Sequence, residues 1–168
     1  MYPDFYITRD KNRHPAIFGA LLGLFLICVS NLMANANEKN RLTNYKISEN
    51  RIIEPLTNSP GDPSRGRKLV AGRDGNCLAC HKAPIPEEQF HGNLGPDLSQ
   101  VASYYDASQL RLRIVDPKKL NPETIMPSFY KISGLNRVGK RYANRPMLNA
   151  QQIEDVISYL LTLQDNEP

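Results

Sequence analysis

The chain has little of what would commit it to most classes. No stretch alternates apolar and polar residues for long enough to argue a sheet. The one strong apolar run, residues 16–29, is shorter than the roughly 20 residues a comfortable membrane span needs. Net charge is small, so nothing recommends a nucleic-acid partner. Cysteine and histidine are scarce, three of each in 168 residues. That scarcity limits the chemistry to whatever a single local cluster can do.

What the sequence does have begins with its first segment. A basic start (Arg9, Lys11, Arg13) precedes the apolar run, and the small residues of "ANA" follow it at positions 34–36. That order is the pattern of a secretory signal with an A-x-A cleavage site, and residues 1–36 are expected to be removed. The alternative is retention as an N-terminal anchor. Cys28 does not argue for lipidation, because bulky Ile27 stands where a lipoprotein cleavage site has a small residue, and it is expected to leave with the signal. Cleavage after Ala36 removes three basic and two acidic residues and leaves a formal charge of +3. Export also means an oxidising compartment, where a free dithiol is not expected.

The remaining cysteines stand in "GNCLACHKAP", as Cys77 and Cys80 with His81 directly after. C-x-x-C-H has three physical readings. Both thiols can add to the vinyl groups of a haem, which leaves His81 under the iron as the proximal ligand. A thioredoxin-like pair would want a βαβ context that the flanking sequence does not supply. Zinc would need four ligands, and the only other histidine after cleavage is His91. Haem is the reading that export and composition favour, as one covalently bound haem c.

Such a haem needs a sixth ligand or an open face. Met126 is the candidate, in "NPETIMPSFY", where Pro122 and Pro127 impose a non-helical loop that can lay a thioether against a flat ring. Met147 competes, but it lies just before an expected helix and reads more readily as a packing residue. His91 would give a bis-histidine haem; only ten residues from His81, it reaches the opposite face poorly and reads as a solvated loop residue. A ligating imidazole also needs an acceptor for its other ring nitrogen. The carbonyl of Pro96, in "LGPDL", is the candidate.

Helices are expected where a small scaffold would need them. Asp62 caps a first one with Pro63 at its first position, and Leu69 and Val70 form a short apolar stripe. Asp106 and Gln109 have capping-box spacing before Leu110 and Ile114. Asn149 and Gln152 do the same before Ile153, Val156, Ile157 and Leu160, which repeat at the helical period. The architecture is therefore all-α, a few helices wrapped on a haem over residues 61–168. Residues 37–60 are polar with one apolar knot, "IIEPL", and read as an extended arm that gains order against another surface. Residues 127–148 hold Lys131, Arg137, Lys140, Arg141 and Arg145 and no acidic residue, suiting either an offset for haem propionates or the steering of anions or an acidic partner.

With these residues in hand the chain resembles the SoxX family, the small monohaem cytochrome c subunits of periplasmic SoxAX complexes in bacterial thiosulfate oxidation. The likeness rests, in order, on "GDPSRGRKLVAGRDGNCLACH", "GNLGPDLSQVASYY", "NPETIMPSFY" and "RPMLNAQQIEDVISYLLTLQ". It implies a class I cytochrome c fold, His81 and Met126 as axial ligands, and a SoxA-like partner carrying the active haem with a cysteine persulfide ligand. It further implies that the two subunits together join thiosulfate to a cysteine of a SoxYZ carrier, with electrons leaving through haem. With both cysteines consumed and the iron doubly ligated, this chain is expected to hold no catalytic group and to contribute electron transfer. A free-standing periplasmic carrier between other redox enzymes is the alternative, and the arm at 37–60 is the segment expected to tell the two apart.

Overall fold

The computed structural model describes residues 42–164; the expected signal and the first residues of the arm lie outside them. Among the described residues four α-helices run in chain order: α1 (Pro63–Ala71), α2 (Val101–Tyr104), α3 (Ala107–Val115) and α4 (Ala150–Leu160), with single 3₁₀ turns at Cys77–Ala79, Pro117–Lys119 and Lys140–Tyr142. Among the described residues the only β pairing is an isolated bridge between Ser48 and Arg51, and no helix is long and apolar enough to cross a membrane.

The helix starts follow from their caps. The Asp62 side chain accepts the Arg65 N–H at 2.8 Å, and Pro63, which has no N–H to leave unsatisfied, opens α1. Both expected capping boxes form, Asp106 with Gln109 on α3 and Asn149 with Gln152 on α4. The chain leaves α1 at Gly72, then turns through Asn76, at φ +50°.

The first and last helices pack closely enough for backbone to meet backbone. A Cβ at Gly66 would stand 1.9 Å from the Asp155 carbonyl oxygen, so only glycine allows α1 and α4 to approach this far. Arg65 locks the crossing through a bidentate pair with Asp155, 2.7 Å at each contact. Beside it lie the buried side chains of Val70, Val156, Ile157 and Leu160, the stripe read from the sequence.

The arm finds its surface on its own domain. Ile52 and Leu56 are buried in the same core as the helices. The Ile52 N–H donates to the Ser108 carbonyl at 3.0 Å, and the Leu56 N–H to Glu154 Oε1 at 2.8 Å. Glu154 is itself paired with Arg111 at 2.8 and 2.9 Å, and Arg111 donates onward to the Ile52 carbonyl at 2.7 Å. A buried ion pair between α3 and α4 thus satisfies the backbone of the incoming segment, which supplies partners for both charges. Residues 42–60 turn tightly at Glu49 and Asn50, both at positive φ, bend again over 56–59, and are held at Ile52 and Leu56 by the helices they pack against. The described part of the arm is thus anchored to its own domain at Ile52 and Leu56, and residues 37–41 lie outside the described residues.

Candidate haem site

The cluster is built on one tight turn. After the left-handed Asn76, Cys77–Ala79 winds as a 3₁₀ turn in which the Cys77 carbonyl accepts from Cys80 N–H at 3.1 Å and from His81 N–H at 2.9 Å. Both thiols are free and half-buried. Burial pushes the Cys77 thiol up to about 11, so at neutral pH it is a protonated thiol. The rival readings lose their supports here. The described residues contain no sheet for a thioredoxin-like context, and no three His, Cys, Asp or Glu side chains among them converge to hold an ion.

His81 is oriented by the loop that follows. Its Nδ1 lies 2.8 Å from the Pro96 carbonyl oxygen. A carbonyl only accepts, so Nδ1 carries the proton and Nε2 keeps its lone pair for a metal. Gly95 lies against the ring, where an added Cβ would stand 2.2 Å from His81 Cε1. The Gly95 N–H donates to the Cys80 carbonyl at 2.8 Å, which ties the loop to the cysteine turn. This closeness leaves room at position 95 for a hydrogen and nothing larger.

Two adjoining cavities, of about 280 and 290 Å³, meet at this point. They share Cys77, His81, Pro96, Thr124, Met126 and Phe129. The first is walled by side chains of all four helices, among them Val70, Val101, Ile114 and Leu160; the second opens past Cys80, Leu94, Ile125 and Met147. An apolar slot with two thiols at its rim, an imidazole lone pair and thioethers in its wall suits a flat, mostly apolar ring carrying a soft-ligated iron.

The structure brings Cys77, Cys80, His81, Pro96 and Met126 to this slot. Met126 lines both cavities and Met147 only the second. His91 lines neither, and it is not the solvated loop residue expected: it is half-buried, with Nδ1 accepting from the Ala83 N–H at 3.4 Å. Sequence reasoning missed Arg113, the one cation in the first cavity's wall. Its guanidinium stacks 3.7 Å above the Tyr105 ring and donates to the Gln109 carbonyl at 3.1 Å. The available signal was its position, three residues after Leu110 and next to Ile114, on the apolar face of α3. Of the basic segment 127–148, Lys131 is paired with Asp116 at 3.0 Å and Arg141 with Asp74 at 2.7 Å.

Comparison with known proteins agrees with this geometry. A family model described as "Cytochrome c" matches residues 63–164. Among solved structures, a chain in the crystal structure of SoxXA from P. pantotrophus is similar at 32% sequence identity and a TM-score of 0.69, over 75% of this chain and 99% of that one. No curated protein matches.

Proposed function

Because the chain belongs to the cytochrome c family, as a member of its SoxX group, we propose that it is the electron-transfer subunit of a two-chain assembly acting in thiosulfate oxidation. The observation that carries the site is the meeting of Cys77, His81 and Met126 in one pair of apolar cavities, with the His81 ring turned by Pro96.

Haem c, which the family binds covalently, would supply a one-electron couple here. Cys77 and Cys80 would hold it by thioether bonds. His81 Nε2 and the Met126 sulfur would ligate its iron, the methionine raising the reduction potential so that the subunit accepts electrons. The Pro96 carbonyl keeps the His81 ring from turning and strengthens it as a ligand. Arg113, already stacked on Tyr105, would offset a propionate. The apolar walls from α1, α3 and α4 would shield that haem from water.

With one haem so held, neither Cys77 nor Cys80 would remain as a thiol nucleophile. Formation of the bond between thiosulfate and a carrier cysteine, on a SoxYZ-type protein, is therefore assigned to a SoxA-like partner, and this chain receives the electrons. Export to the periplasm with loss of residues 1–36 belongs to the same reading. Potentiometry with absorbance spectra on the holoprotein tests the ligand set. Met126→Ala should lose the sulfur-to-iron charge-transfer band and fall strongly in potential, while Met147→Ala keeps both. The opposite pattern would move the sixth ligand to Met147.

A further inference from the structure

Met126 sits at the end of a short turn whose internal bonds stop at Thr124: the Thr124 N–H donates to the Asn121 carbonyl at 3.1 Å and the Glu123 N–H to Asn121 Oδ1 at 3.0 Å. Pro122 and Pro127 have no N–H to donate, and no backbone N–H among the described residues reaches the carbonyls of Pro122 or Thr124. Both carbonyls accept from the ammonium of Lys118, at 3.0 and 3.1 Å. The Met126 N–H donates to Thr124 Oγ1 at 3.2 Å, so what fixes Thr124 also fixes the methionine backbone. On the other side of Met126, the Ser128 hydroxyl donates to Asp116 Oδ1 at 2.9 Å. The second oxygen of that carboxylate takes the Lys131 ammonium at 3.0 Å, and Asp116 is only 2% exposed. The Phe129 N–H donates to the Ile114 carbonyl at 3.1 Å. Both ends of the stretch thus hang from residues 114–118, the end of α3 and the turn after it.

We infer that Lys118 and Asp116 are positioning residues for Met126, two clamps on either side of it that keep its sulfur at the iron. This rests on Met126 being the sixth ligand. Neither residue lines the cavities, so each acts through the loop. Lys118 contributes most plainly because it joins two carbonyls for which no backbone N–H among the described residues is a partner, and hydrogen bonds from a charged donor are the stronger kind. Without it, residues 122–126 move more freely, the sulfur leaves the iron more often, and an added ligand competes better for the vacated position.

The test is an imidazole titration of the holoprotein at fixed neutral pH, followed by bleaching of the sulfur-to-iron charge-transfer band. Lys118→Ala should bind imidazole roughly three- to tenfold more tightly than wild type, the scale set by losing charge-assisted hydrogen bonds at an exposed site. Asp116→Asn should move the same way. Lys118→Arg, which can still donate to both carbonyls, should restore the wild-type curve, and Lys119→Ala, whose exposed side chain has no part in the loop, should titrate as wild type. A thermal melt run alongside separates positioning from folding, because a purely structural role lowers the melting temperature without changing the imidazole curve. Unchanged imidazole affinity in Lys118→Ala or Asp116→Asn overturns the inference. A band that survives Met126→Ala would instead overturn the ligand assignment beneath it, so the two failures look different.

Discussion

At the scale of single residues, the site depends on contacts that leave no room for substitution. Gly95 is the sharpest case, since a Cβ there would stand 2.2 Å from the His81 ring. Gly95→Ala has to displace either the ring or the loop that presents the Pro96 carbonyl. Both would loosen the 2.8 Å contact that fixes the imidazole. The expected outcome is a lower haem content per chain and a shifted potential, read by haem absorbance against protein mass and by potentiometry. Wild-type values for both would show that the loop gives way freely. The residues of the site were largely legible because C-x-x-C-H, the Gly-Pro turn and the proline-flanked methionine are each written within a few positions. Arg113 was not, since its importance comes from the cavity that Val70 and Leu160 close from other parts of the chain.

At the scale of elements, the α1–α4 crossing and the α3–α4 ion pair carry the pH and stability behaviour. Burial alone would raise the Asp155 carboxyl; hydrogen bonds from Arg65, Gln151 and the Asp62 N–H outweigh it and hold the pKa below its ordinary value. A depressed folded pKa adds stability that is present above the unfolded value, about 3.9, and is lost as pH falls through the folded one. Asp155→Asn should therefore be less stable at pH 7 by about 1–3 kcal/mol, and its stability should fall less than that of wild type as the pH drops below about 4. Urea unfolding across that range checks both. Glu154→Ala leaves Arg111 buried without its counter-charge and frees the Leu56 N–H, so a loss of roughly 3–5 kcal/mol is expected. The helix starts were readable from local caps. The seat of the arm was not, because the groups that hold Leu56 and Ile52 lie 98 and 59 residues away in sequence, and no local pattern shows so distant a partner.

At the scale of the whole molecule, residues 42–164 fall within one unit in which the four helices and the cysteine turn line two adjoining cavities and the arm packs into the same core. The arm's role in that unit changes what its removal means. Deleting residues 42–60 exposes the surface now covered by Ile52 and Leu56, each worth roughly 1.5–3 kcal/mol when fully buried, and should lower the melting temperature of the isolated chain. An unchanged melt would mean that the helices stand without it. Partnership must then be tested directly, by a haem-stained gel of what co-elutes with the natively tagged protein from thiosulfate-grown cells. The account predicts this chain's haem band together with a second, different haem-bearing band in fixed proportion. A single haem band at this chain's own size would contradict the two-chain assembly and leave a free carrier, and no stain at all would contradict the haem.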